Sequence, residues 1–235
     1  MSEPEHEHEA PYSVQVAFRT AQSFLVAYSV HLSRGGLFLE TEHDLPIGAR
    51  ADVAFQVPGA DPIDLPGIVA SRRGEDSPDG PPGLGIEFPD PNPELGILVD
   101  RLVGAFEGVQ VLVLSGDRQD RTTLARSIKS IISTAEIMQA ADASVAGALM
   151  TNEVDLAVID VDFDADGGLA MLRAARDVEP RIPTVAISAS AQLRDLARQA
   201  GATAVATNPP PFAELQVVLV RALSSPVTVA VAPRP

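Results

Sequence analysis

Two hydrophobic grammars meet near Gly108. Before it, apolar positions come in short runs: SVQVAFR, QSFLVAYSV, GLFLE, ADVAFQV, IDLPGIVAS and GLGIEF, spread over residues 13–88. SVQVAFR alternates apolar and polar positions, and QSFLVAYSV is β-branched and aromatic. The separators HDLPIG, PGADP and SPDGPPG are rich in turn formers. Short strands at this spacing predict a small antiparallel barrel or sandwich. PELGILVDRLVGAFEG changes the period: Leu95, Leu98, Leu102, Val103 and Phe106 fall on one predicted helical face, enough to plug a barrel mouth or bridge two domains.

After Gly108, near-continuous apolar strands alternate with amphipathic helices. VQVLVLSGD, TAEIMQAA, VDLAVID, IPTVAIS and TAVAT are the predicted strands. The helices are RQDRTTLARSIKSII, SVAGALMTN, GGLAMLRAAR, SAQLRDLARQA and PFAELQVVLVRAL. Five βα repeats of this kind predict a doubly wound parallel sheet covered on both faces. The expected organisation is therefore an acidic disordered tail at 1–12, a β domain with its closing helix at 13–107, an α/β domain at 108–224, and a tail with one optional strand at 225–235.

Composition narrows the function. A length of 235 residues suits two domains, and 46% hydrophobic residues supply two cores, although aromatics are only 4% and Trp is absent. A formal charge of −15 opposes nucleic-acid binding, which needs cations to displace counterions from phosphates, and opposes docking on an anionic membrane. The absence of cysteine removes disulfides, thiolate metal sites and thiol nucleophiles. No apolar run is long enough to span a bilayer and the acidic start is unlike a signal peptide, so a cytoplasmic location is expected. His6 and His8 alternate with glutamates, a pattern open to weak metal binding or to plain solvation.

Candidate chemistry concentrates in DVDFDADGG, residues 160–168. Asp162, Asp164, Asp166 and Gly167 match the front of an EF-hand calcium loop, with Leu169 apolar at the eighth position. The twelfth position requires a bidentate glutamate and holds Arg173, and the segment before the loop reads as a strand rather than a helix, so calcium is set aside. What remains is a βα loop at the carboxyl edge of a parallel sheet, where such folds place their ligand sites.

Residues 109–223, with Asp160 closing the third strand and Asn208-Pro after the fifth, resemble response-regulator receiver domains. The resemblance implies Asp160 as phosphoryl acceptor, an acidic pair after the first strand to hold Mg²⁺, a hydroxyl after the fourth strand and a lysine after the fifth. Here the acidic pair falls on Ser115 and Gly116, Ser188 supplies the hydroxyl, and Asn208 stands at the lysine position. Lys129 is the only lysine in the chain. Phosphoryl transfer rests on positioning and charge neutralisation, and two of the three charge-handling elements are missing. An improvised Mg²⁺ site would need Asp117, Asp160 and Asp162 together. The expectation is a pseudo-receiver that keeps its fold and has lost its switch.

HLSRGGLFLET, preceded by FRTAQSFLVAYSV and followed by GLGIEF, resembles a PilZ domain of the LSRGG-turn variety, over residues 13–106. That implies a six-stranded antiparallel β-barrel and, in many members, binding of cyclic di-GMP. Binding there uses an Asp/Asn-x-Ser-x-x-Gly turn and an Arg-x-x-x-Arg segment before the first strand. Here the turn reads His31-x-Ser33-Arg34-x-Gly36, and Arg19 is the first arginine in the chain. Losing two arginine contacts removes roughly 3–6 kcal/mol, on the order of 10²–10⁴ in affinity. Arg34, Arg72 and Arg73 are the available substitutes, read otherwise as surface charge.

The two resemblances together imply a non-enzymatic bacterial signalling adaptor with signalling or motility proteins as partners and with neither cyclic di-GMP nor Mg²⁺ as a required cofactor. The alternatives are a working cyclic di-GMP effector and a regulator phosphorylated on Asp160. Candidate interfaces are the face around Phe24 and Tyr28 and the segment Phe212 to Val220, a helix through which receivers commonly pair. A homodimer is one arrangement these faces allow, and core packing is the competing reading of both.

Overall fold

The computed structural model describes residues 12–75, 77, 81–89 and 92–233. The tail histidines His6 and His8, and all of the segment where ligand-binding arginines would fall except its last residue, lie outside them.

The first domain comprises β1 (Tyr12–Ala17), α1 (Ala21–Val30), β2 (Gly36–Glu40), β3 (Arg50–Gln56), β4 (Ile63–Arg73), β5 (Gly83–Glu87) and α2 (Pro93–Gly104). Alternation sets which side chains face inward: in β4, Ile63, Leu65 and Val69 are buried while Asp64, Pro66 and Ile68 are not. Without tryptophan, the core is organised by phenylalanine, with Phe18, Phe24, Phe55 and Phe88 in ring contact at centroid distances of 5.3–6.5 Å.

QSFLVAYSV, predicted as a strand, is the helix α1. Thr20 and Ser23 decide this locally as a reciprocal capping box, Thr20 Oγ1 accepting from the Ser23 amide at 3.1 Å and Ser23 Oγ from the Thr20 amide at 3.2 Å. Tertiary packing then overrides the strand propensity of the run. Phe24 and Ala27 enter the first core, and Val26, on another side of α1, packs against the second domain. Phe24 is thus a core residue rather than an interface. In α2, Leu98 and Leu102 are buried as expected, whereas Val103 is 59% exposed and Phe106, beyond the helix end, packs against the second domain.

The second domain follows the predicted alternation: β6 (Val109–Leu114), α3 (Arg118–Ile131), β7 (Ala135–Ala140), α4 (Ala143–Leu149), β8 (Leu156–Asp160), α5 (Ala165–Asp177), β9 (Thr184–Ile187), α6 (Ala191–Gln199), β10 (Ala204–Ala206) and α7 (Phe212–Ser224). All strand pairs are parallel, in the order β7-β6-β8-β9-β10. That is the 2-1-3-4-5 doubly wound order, with a switch point between the first and third strands where ligands characteristically sit. β8, at the centre, is buried throughout.

The closing residues, expected as a tail with one optional strand, form β11 (Thr228–Pro233). It returns to the first domain and pairs antiparallel with β1 from Tyr12↔Pro233 to Ala17↔Thr228. The first sheet therefore runs β11-β1-β3-β4-β5-β2, antiparallel except at β1–β3. The sixth strand comes from the far end of the chain, because the segment expected to supply it became α1.

The junction is continuous. Arg19, 3% exposed, sends its guanidinium into the second domain, where Nε donates to the Val154 carbonyl at 2.7 Å and Nη2 to the Thr151 carbonyl at 3.2 Å. Its Nη1 donates to the Pro180 carbonyl. Beside it, Thr20 Oγ1 donates to Asp155, whose other oxygen accepts from the Gln110 amide at 2.7 Å. α1 packs on α7, Arg221 holds Glu40 at 2.6 Å, and His31 Nε2 meets Ser224 Oγ at 3.1 Å. Much of α7, expected above as an interface, is thus engaged within the chain.

Candidate functional site

Asp160 ends β8 at the carboxyl edge of the parallel sheet, flanked by β6 and β9. Its carboxylate is 7% exposed and accepts three hydrogen bonds: Ser115 Oγ to Oδ2 at 2.9 Å, the Asp162 amide to Oδ1 at 3.0 Å, and Asn208 Nδ2 to Oδ1 at 3.2 Å. Burial raises its affinity for a proton, and the neighbouring carboxylates of Asp162 and Asp120 push the same way, outweighing these donors.

Asp162 behaves oppositely. Burial raises it too, but the Ser188 hydroxyl, the Ala189 amide at 2.8 Å, Asn208 Nδ2 at 3.0 Å and the nearby Arg194 charge together hold it below the usual carboxylate range. Asn208 thus bridges both carboxylates from the position where the receiver resemblance implies lysine.

A local repeat builds this arrangement, and the motif-by-motif reading passed over it. Residues 115–121 and 188–194 both read Ser-x-x-x-Gln-x-Arg. In each copy the serine hydroxyl reaches a carboxylate of the central loop, Ser115 to Asp160 and Ser188 to Asp162. Each arginine folds back onto the end of its own strand: Arg121 Nη1 lies 2.5 Å from the Ser115 carbonyl, and Arg194 Nη1 lies 2.6 Å from that of Ser188. The identical spacing was the signal available in the sequence.

The residues present do not fit Mg²⁺. Asp117 is turned away as the N-cap of α3, accepting from the Gln119 and Asp120 amides at 2.7 and 2.9 Å. Both oxygens of Asp162 are committed. At Gly116, where an acidic residue would stand, an added Cβ would lie 2.0 Å from the Phe163 ring. Among the described residues, no group of three or more His, Asp or Glu side chains is placed to hold a metal. Asp164, first of the remaining calcium-like aspartates, instead caps α5 through the Gly167 amide. A cavity of about 90 Å³ beside Asp160 is lined by Asp120, Thr123 and Pro209 among others, so an anion entering it would meet a second carboxylate.

In the first domain, Leu32–Arg34 is a single 3-10 turn, closed by Gly35 at φ +86. Gly35 needs its left-handed backbone there, and an L side chain would be strained. Ser33 and Arg34 are exposed, with Ser33 Oγ bonded to the Ser29 carbonyl at 3.1 Å. His31 faces the domain junction instead. Arg72 is paired with Asp44, and Arg73 lies over the Phe38 ring at 4.1 Å. These two candidate arginines are thus engaged separately, away from the turn.

A family model described as PilZ domain matches residues 5–105. The match to the PilZ family thus lies in the N-terminal part of the chain. Similar solved structures cover the other half. One is the receiver domain of a DNA-binding response regulator (merR) from Colwellia psychrerythraea, at 17% identity, covering 47% of this chain and 94% of that one with a TM-score of 0.43. A response regulator from Thermotoga maritima shows 21% identity, coverage of 50% and 99%, and a TM-score of 0.45. The receiver domain of NtrX from Brucella abortus shows 26% identity, coverage of 48% and 97%, and a TM-score of 0.43. No curated protein matches the chain. The family match and the similar structures thus fall on different parts of the chain. Among the described residues, no helix is long and apolar enough to cross a membrane.

Proposed function

We propose that this protein is a non-enzymatic signalling adaptor that works through protein–protein contacts, with phosphorylation at Asp160 and cyclic di-GMP binding both lost. In this reading the antiparallel-rich first sheet, wrapped around its core, stands for the six-stranded barrel of PilZ domains. The receiver-like domain serves as a fixed platform. The partners are other signalling or motility proteins, and the chain acts in the cytoplasm without nucleic acid.

One observation carries the reading: the would-be acceptor Asp160 is held by neutral donors from Ser115 and Asn208, with the Phe163 ring standing where a metal-binding acid would go. Transfer of a phosphoryl group to Asp160 would need cations to neutralise its charge, and the site supplies none beside the acceptor.

Two titrations test it. Isothermal titration with cyclic di-GMP should give no saturable heat at tens of micromolar. Addition of Mg²⁺ and beryllofluoride should leave the amide spectrum around Asp160 unchanged. Saturable dinucleotide binding lost on Arg34→Ala would establish the effector instead, and a beryllofluoride-induced shift at Asp160 would restore the phosphorylated regulator.

A further inference from the structure

We infer that the cleft between β2 and α7 is a docking site for an extended peptide segment of a partner protein, added as a further strand to the first sheet and carrying acidic and apolar side chains.

β2 is an open edge. It pairs only with β5, and no other described strand lies beside it. The hydrogen bonds that flank the ladder, Phe88 N to the Gly35 carbonyl at 2.7 Å and Thr41 N to the Pro82 carbonyl at 3.2 Å, fix its phase. In an antiparallel pair, bonded residues alternate, so Leu37 and Leu39 bond β5. The amides and carbonyls of Gly36, Phe38 and Glu40 point outward, away from β5. Open edges of this kind accept added strands.

The edge borders a shaped groove. A cleft of about 490 Å³ runs between Phe38 and Glu40 on one wall and Val217, Val220 and Arg221 on the other. That size lies within the range of ligand sites. Phe38 is fixed in place, its ring against the Gly83 backbone, where a Cβ would come within 2.7 Å of it, and under the Arg73 guanidinium.

Charge selects the occupant. Arg221 is neutralised by Glu40. Arg73 has no carboxylate within ion-pair distance among the described residues, leaving one uncompensated arginine in the cleft of a protein of formal charge −15. Val217, 66% exposed, offers an apolar contact on the opposite wall. A carboxylate placed at Arg73 and an apolar side chain on Val217 describe a strand that carries both acidic and apolar side chains. The other open edge of the same sheet, β11, reads TVAVAP and contains no acid, so edge-to-edge pairing of β2 with β11 of a second copy supplies no match.

This proposal rests on the adaptor reading, and its test is separate from the two titrations above. The probe is fluorescein-labelled Val-Glu-Val-Glu-Val, blocked at its carboxyl end, titrated into the full chain by fluorescence anisotropy. Saturable binding is expected, with slowed amide exchange at Phe38 and Glu40. Arg73→Glu should weaken it by at least about tenfold, as should Val217→Glu, and Arg73→Glu should gain binding to the Val-Lys-Val-Lys-Val peptide. Val217 is solvent-facing and Arg73 is half-buried over Phe38, so folding of both variants is checked by an unchanged far-ultraviolet spectrum. Absence of saturable binding, binding insensitive to both variants, or a dimer of the chain that Val217→Glu dissolves would each overturn the proposal. With the dinucleotide and beryllofluoride also silent, such a failure moves the partner surface elsewhere and leaves the adaptor reading in place.

Discussion

Asp155 immediately precedes strand β8 and Asp160 ends it, and both are pushed toward the protonated form by burial. Their company differs. Asp155 receives the Thr20 hydroxyl and lies near the Arg19 charge, both brought from the other domain. Asp160 receives a serine hydroxyl, an asparagine amide and a backbone amide. A buried carboxylate close to a fixed cation stays committed to that geometry, whereas one held by neutral donors is satisfied yet poorly prepared for added negative charge. Among the described residues, the one deeply buried arginine stands at the joint between domains rather than at the edge where ligands usually sit.

The sharpest way to break this contrast is Arg19→Ala. It strands the carbonyls of Thr151, Val154 and Pro180 and removes the charge near Asp155, so a loss of about 3–5 kcal/mol is expected. Both tyrosines, Tyr12 and Tyr28, lie in the first domain. Tyrosine fluorescence and far-ultraviolet dichroism should therefore give superimposed urea transitions in the natural protein and separated ones in the variant. A single unchanged transition would show that the joint is unimportant.

Thr20→Ala removes both the cap of α1 and the hydroxyl on Asp155, for an expected cost of about 2 kcal/mol by the same urea measurement. Restoring the cap alone with Asn should recover only part of it.

Asp160→Asn should raise the melting temperature at pH 7. Because the folded state binds the Asp160 proton more tightly than the unfolded chain, stability is greatest below the ordinary carboxylate value of about 3.9 and falls as pH rises through the folded value. The amide keeps all three contacts without the charge, its nitrogen donating to Ser115, and its advantage should vanish in acid. An equal gain at every pH would refute the electrostatic explanation.

The smallest effect belongs to His31. Burial, then the Arg34 charge, disfavours its protonated form, so the stability it contributes is lost as pH falls from about 6.5 through the lower folded value. Melting curves across that interval should be flatter for His31→Gln, which keeps a polar contact with Ser224.

The architecture was legible where a periodic pattern met its ordinary environment. The three central strands of the second sheet, β6, β8 and β9, are almost wholly buried, so their apolar runs could be read directly, and Asp160, Ser188 and Asn208 fell at or just after the strand ends expected of them. QSFLVAYSV misled because one short apolar run serves two cores, and a helix presenting separate faces to each is indistinguishable by composition from a buried strand. Asp117 misled because a carboxylate just after a strand is equally suited to capping the next helix. The importance of Arg19 could not be read at all: its partners are backbone carbonyls, which every residue type possesses, more than a hundred positions away.

The return of β11 to the first sheet has a further bearing on how the chain is made. A ribosome delivers β1 early and its neighbour only after the whole receiver-like domain has emerged. During that interval β1 exposes an unpaired edge that the finished protein covers, the kind of surface that pairs wrongly in a crowded cell. Maturation of the first module thus waits on completion of the second, and a translation product arrested after α7 would carry an adhesive flank.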